Sequence, residues 1–468
     1  MKKLIGDKKF YLMVLAVAIP IMVQNGITNF VNLLDNIMVG RVGTEQMTGV
    51  AIVNQLVFVF NICVFGGVSG AGIFTAQFYG CDDAKGVRDT FRIKVLITAG
   101  ITVIGLLLFG FYGDQLIHLY LHESNDAGDI NATLMYAKQY LRIMMIEIIP
   151  FAMVQVYAST LRETGETMLP MKSGIVAVFV NLILNYILIY GKFGAPALGV
   201  EGAALATTIA RFAELFIIAG WTHYHKEKNI FIEGVYRNFL IPKELLGKVA
   251  ILGMPLMVNE VLWASGQAVL TQCYSVRGLS VIAAFNISST ISNVFNIVFI
   301  AMGSAIGIIV GQLLGAGKME EAKDTDRKLI FFSVVSCVGI GSIMAIVAPL
   351  FPMFYNTSEE IRLLATRFIM IAALCMPLFA FTHATYFTLR SGGKTWVTFF
   401  FDSVYVWIFN IPLAFFLTRY TVLYIVFVYL ACQLVDIIKC IVGFVLVKKG
   451  VWLNNIIGET KELSKEIA

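Results

Sequence analysis

The chain is 468 residues long, 58% hydrophobic and 14% charged, with a formal net charge of +5. An ordinary soluble chain carries about 25% charged residues, whereas here apolar runs of roughly 20 residues, long enough to cross a bilayer, recur from end to end. That excludes a string of soluble domains, and the small positive surplus gives no reason to expect a nucleic-acid partner.

Twelve runs are long enough to cross, near residues 10–36, 47–79, 91–112, 134–158, 168–190, 201–224, 245–272, 279–314, 329–351, 361–388, 395–418 and 421–447. A membrane β-barrel would need alternating strands of about ten residues, and continuous runs such as Val95–Phe111 exclude it. The expected fold class is an all-α polytopic membrane protein. Met1-Lys2-Lys3 could open a signal peptide. The run that follows carries Pro20, Gln24, Asn25 and Asp35 without a small-residue cleavage pattern, so it reads as a retained first helix.

Polar residues inside these runs are the candidates for function, because a carboxylate at the bilayer centre costs about 2.5–3.5 kcal/mol and must face protein or a wet cavity. In the first run Pro20 breaks the helix and frees a backbone carbonyl, a bending element ahead of Asp35. In the fifth run Asn181 and Asn185 are four apart and share a face. Their oxygens suit a hard cation, and their amides equally suit a hydrogen bond to Asp35 or to a neighbouring helix. Glu260 in the seventh run and Asp402 in the eleventh are the corresponding acids of the second half. Arg211, Glu214, Asp436 and Lys439 read as structural partners or interface snorkellers. His118 and His122, four apart beside Glu123, are too few for a metal site. The seven cysteines are scattered through apolar runs without a metal or disulfide spacing. No nucleotide-binding loop or hydrolase motif occurs, so neither an enzyme nor a cofactor is implied.

Most of the 35 Lys and Arg fall in the two ends and in alternate loops, which puts both termini on the cytoplasmic side with an even number of crossings. The chain is also written twice. Pro20 meets Pro255, Gln24-Asn25 meets Asn259-Glu260, and Gly72, Gln77 and Gly80 meet Gly307, Gln312 and Gly315. Further on, Leu161-Arg162 meets Leu389-Arg390. Six helices per copy imply two bundles related by a pseudo-two-fold along the membrane normal, a common transporter plan. The expected division is an N-lobe 1–224, a cytoplasmic linker 225–244 lying on the membrane surface or merely joining the halves, a C-lobe 245–451, and a charged cytoplasmic tail 452–468.

These residues resemble the multidrug and toxic compound extrusion (MATE) transporters. The most specific stretch is Ala197-Leu198-Gly199-Val200-Glu201-Gly202-Ala203-Ala204-Leu205-Ala206-Thr207, supported by Pro20 with Asp35 and Val39-Gly40, Leu161-Arg162 with Gly165, Gly311-Gln312-Leu313-Leu314-Gly315 and Asn410-Ile411-Pro412. The resemblance implies a secondary antiporter that exports amphipathic, often cationic, compounds against H+ or Na+, in the plasma membrane of a prokaryote and as a monomer contacting lipid. It implies that Asp35 binds the coupling cation beside Asn181, with Pro20 as the bend point. Asn185 replaces an aspartate of some members, while Glu260 and Asp402 resemble a C-lobe cation site. Na+ is thus expected at Asp35 with Asn181 or at Glu260 with Asp402. The rival is a flippase of lipid-linked oligosaccharide or cell-wall precursor, which would favour a basic cavity.

Overall fold

The computed structural model describes residues 4–120, 129–237 and 241–458 and contains no β-strand among them. Among those residues twelve helices are long and apolar enough to cross a membrane. They are α1 (Lys8–Gly40), α2 (Thr44–Gly80), α3 (Ala84–His118), α4 (Ile130–Glu163), α5 (Met168–Tyr190) and α6 (Val200–Tyr224), followed by α7 (Lys243–Ser275), α8 (Leu279–Gly315), α9 (Met319–Val347), α10 (Glu359–Ser391), α11 (Thr395–Tyr420) and α12 (Ile425–Lys449). The expected twelve-helix architecture is present. Several helices start earlier than their apolar runs because a polar residue caps them. The Asp83 carboxylate accepts from Gly86 N at the start of α3, and Asp129 accepts from Asn131 N and Ala132 N at the start of α4.

The helices gather into two compact units. One comprises Val23–Thr75 and Asp83–Val249, and the other Met1–Met22, Ala76–Asp82 and Ala250–Ala468. The division within α1 falls just after Pro20. The first unit is built on Val53, Val64, Ile117, Ile148 and Phe151, with Ala203 and Ala204 of α6 admitting close helix packing. In the second, Val14 and Ala18 of α1 pack against Met302, Ala305 and Ile306 of α8. Gly80 and Gly315 let two helix ends meet there. A Cβ on Gly80 would overlap the Gln312 carbonyl, and one on Gly315 would overlap that of Gln77.

Two irregularities position side chains. α11 contains two π turns, Phe400–Val404 and Val406–Asn410, and Asp402 sits in the first. α12 breaks at Val435, whose carbonyl accepts from the Tyr405 hydroxyl at 2.7 Å, leaving Asp436 and Lys439 on the segment beyond.

Three features differ from, or sharpen, the sequence reading. Lys94, a cation near the start of the third apolar run, is fully buried in α3, where it bonds Ser159, Thr160 and Glu163. The start of the tail is packed rather than solvated. Trp452, Ile456 and Ile457 are buried, and Gln77 bonds Ser391 O, Asn454 O and Ile456 N. The linker is fastened down by Arg88 and Arg92, which donate to the carbonyls of Ile230, Phe231, Gly234 and Val235. Tyr236 closes it with a 2.6 Å bond to Tyr157, and burial pushes the Tyr236 phenol above its ordinary pKa. His122, Glu123, Asn238, Phe239 and the tail from 459 lie outside the described residues.

Candidate functional site

In the first unit the candidate residues converge. Asn185 Nδ2 donates to Asp35 Oδ1 at 2.6 Å and to Asn181 Oδ1 at 3.1 Å. Asn181 Nδ2 in turn donates to Thr207 Oγ1 at 3.1 Å, and Thr207 donates to the Ala203 carbonyl one turn back. The spacing of the two asparagines on α5 turns both toward α1 and α6. Asn185 Oδ1 is buried without a hydrogen-bond partner among the described residues. It therefore remains an available acceptor beside the carboxylate. A monovalent cation would find there Asp35 and the carbonyl oxygens of Asn181 and Asn185, a set of hard oxygens. Among the described residues no group of three His, Cys, Asp or Glu forms a metal cluster.

One turn beyond Thr207 on α6, Arg211 holds two acids. Its Nε lies 3.2 Å from Glu147 Oε1 of α4 and its Nη1 lies 2.8 Å from Glu214 Oε2. Both glutamates are only 3% exposed. The guanidinium also stands over the Phe151 ring, 5.5 Å from its centroid, and within electrostatic range of Asp35. Beyond this triad Gln24 accepts from Arg162 Nη2 at 2.9 Å, and Lys94 pairs with Glu163. A line of polar side chains thus runs through the interior of this unit.

The second unit is arranged differently. Asp402 Oδ1 accepts from Lys439 Nζ at 2.7 Å, and its Oδ2 accepts from Asn259 Nδ2 at 3.2 Å. Asn259 is itself tied to Ser403, whose hydroxyl donates to Asn259 O and Oδ1 at 2.7 Å. Glu260 is partly buried and makes no ion pair within 4.0 Å among the described residues; Asp402 and Arg390 are the charges that act on it. The expected association of Glu260 with Asp402 is therefore indirect, because both oxygens of Asp402 are already engaged. Lys439, read as a structural partner, is that partner.

Asp35, Asn181 and Asn185 come together as their sequence pattern suggested, and Pro20 lies inside α1. Glu147 and Asn259 were missed. Glu147 was legible as an acid within the apolar run Met144-Met145-Ile146-Glu147-Ile148-Ile149. Asn259 could be found only through its match to Gln24 in the internal repeat.

The sequence matches the family model described as MatE over residues 20–187 and 255–416, more than half of the chain and in two segments that follow the internal duplication. A probable multidrug resistance protein NorM of Thermotoga maritima is 24% identical over 405 residues, spanning 86% of this chain and 84% of that protein. A probable multidrug resistance protein YoeA of Bacillus subtilis is 25% identical over 410 residues, spanning 86% of each. A crystal structure of MATE in the bent conformation matches with a TM-score of 0.84 at 18% identity, over 99% of this chain and 98% of that one, a likeness of fold.

Proposed function

Because the chain belongs to the MatE family, we propose that it is a secondary active antiporter exporting amphipathic, often cationic, organic compounds in exchange for H+ or Na+. The relatives' names support drugs as the cargo. The observation that carries the exchange is Asp35, an intramembrane carboxylate whose contact is an amide donor and not a fixed cation. It is free to be neutralised by whichever cation arrives. A cation and a drug that favour opposite states of one alternating-access machine exchange across the membrane by linkage. Drug is held while Asp35 is ionised. Cation binding there, assisted by Asn181 and Asn185, removes the attraction, and α1 bends at Pro20. The protein works in a prokaryotic plasma membrane, with both termini cytoplasmic, as a monomer with lipid and drug as its partners.

The test is flux of a fluorescent organic cation into or out of proteoliposomes under an imposed proton gradient, then under a sodium gradient. Flux driven by one of them and lost in Asp35→Asn is the expected result. Full ion-driven flux in Asp35→Asn would overturn the role of that residue, and flux under neither gradient would overturn antiport of this cargo.

A further inference from the structure

Within 4.0 Å the triad of the first unit sets one cation against two acids. Arg211 supplies one positive charge, and Glu147 and Glu214, each 3% exposed, supply two negative ones. Glu147 Oε2 is buried and has no hydrogen-bond partner among the described residues. A buried carboxylate oxygen without a donor carries the penalty that drives acids in a bilayer interior to pair or to neutralise. The second unit shows the contrast. In the register that aligns Leu161 with Leu389, Arg211 falls on Lys439, Gly174 on Asp402, and Glu147 on Cys375. There Lys439 pairs with Asp402 alone within 4.0 Å, with Asp436 acting on both from farther away. The first unit keeps the cation and pairs it with two acids at that range.

We propose that Glu147, Arg211 and Glu214 form a second proton-binding site inside this unit, where one proton is shared between the two carboxylates and is exchanged with Asp35. The proton comes from water and converts one carboxylate to a carboxylic acid, which brings the triad to neutrality. A proton suits the site better than a metal ion, because the guanidinium already occupies one oxygen of each acid and repels a second fixed cation. The groups that face Glu147 are Arg211 and Glu214 of α6 and, on its own helix, Tyr140, which also senses Asp35. Tyr140 donates to Asn54 of α2 at 3.2 Å, and both Asp35 and Glu147 act on its hydroxyl. Arg162 of α4, bonded to Gln24, is a further cation that acts on Glu214.

The use of this proton rests on the antiport reading, but its presence does not, and infrared spectroscopy reads its presence without flux. The purified protein in lipid should show a protonated-carboxyl C=O stretch at neutral pH that persists in Asp35→Asn and is unchanged when K+ is replaced by Na+. Glu147→Gln and Glu214→Gln should each remove the same component of it, read as the wild-type-minus-variant difference apart from other buried acids such as Asp326, since either leaves one acid facing one guanidinium and no need for a proton. Two variants are used so that one that fails to fold leaves the other decisive. No such band in the wild type, or no difference in it on either substitution, would overturn the shared proton. A band displaced by Na+ would overturn the choice of ligand. Flux then reads the exchange with Asp35: proton-driven efflux lost in Glu147→Gln while drug binding to the purified protein is retained supports it, and coupled efflux at the wild-type rate refutes it. Absence of flux in the wild type would count against antiport alone.

Discussion

Lys439→Met separates a structural role for the second unit's acid from an ion-exchanging one. The substitution keeps most of the length of the side chain and removes its charge. The Lys439 Nζ to Asp402 Oδ1 distance is 2.7 Å, with side chains 10% and 21% exposed. Coulomb attraction at that distance is about 6 kcal/mol for an effective dielectric of 20, and most of it offsets the desolvation of the two ions. The net worth of the pair is therefore small, while breaking it strands Asp402 with Asn259 as its remaining donor. Loss of one partner of such a pair costs about 3–5 kcal/mol. Asp402→Asn strands Lys439 instead, over the Phe401 ring at 5.2 Å, and the double variant restores neutrality. The expected result is that each single variant lowers stability by that amount, whereas the double variant stays within about 1 kcal/mol of wild type. Unfolding in mixed micelles measures all three. Proteoliposome flux adds the functional reading, because a balanced structural pair predicts that the double variant keeps ion-driven efflux. Additive single losses would refute the pairing argument. Restored stability with abolished coupling would show that Asp402 exchanges the ion.

Other consequences follow from the packing. Gly80→Ala and Gly315→Ala each drive a methyl into a backbone carbonyl and should destabilise by about 1–3 kcal/mol in thermal unfolding, whereas Gly247→Ala on the exposed face of α7, with open space around it, should gain about 0.5–1 kcal/mol. Gln77→Ala removes the bonds to Ser391, Asn454 and Ile456 and should cost about 1–3 kcal/mol, with faster hydrogen exchange confined first to residues 452–458. Arg92→Met releases the carbonyls of Gly234 and Val235 and should make the segment 229–237 the first site of limited proteolysis; an unchanged cleavage pattern would mean that Phe231 and Tyr236 hold it unaided.

The helices were legible because a bilayer admits so few backbone solutions that apolar length alone finds them. Asp35, Asn181 and Asn185 were legible because a polar residue in an apolar run must have a partner, and the period of four put the two asparagines on one face. What stayed hidden was the choice of partner. Lys439 lies far along the chain from Asp402, and their contact depends on a π turn in α11 and a break at Val435 that no periodicity announces. Trp452 was misplaced for a related reason. Composition marks a segment as polar or terminal, but whether helix ends close over it is decided by tertiary contacts such as those of Gln77 with Asn454 and Ile456. The linker illustrates the same limit, since its hold comes from two arginines bonding carbonyls, a contact that carries no side-chain pattern on the accepting strand.

The duplication sharpens the functional argument, because the two copies act as controls for each other. In the register that aligns Pro20 with Pro255, Gln24 falls on Asn259 and Asp35 on Leu270. Gln24 and Asn259 do similar work, each bonding a charged side chain, Arg162 in one case and Asp402 in the other. The acids differ. The second copy carries Asp402 on α11, against the lysine of α12, and has an apolar residue where the first copy carries Asp35. The first copy has glycine at the α11-equivalent position, and a glutamine and a glutamate approach that opening from α1 and α6. Its acids are therefore displaced onto α1, α4 and α6, where one cation serves two of them and Asp35 has none in direct contact. At the position shared by Arg211 and Lys439, the second copy pairs one cation with one acid within 4.0 Å and the first copy pairs one cation with two. Moving the balance should move the function: Glu147→Gln with Glu214 retained gives the first unit the neutral pair of the second, and proton-coupled efflux should then be lost while the fold, tied by Arg211 to Glu214, persists.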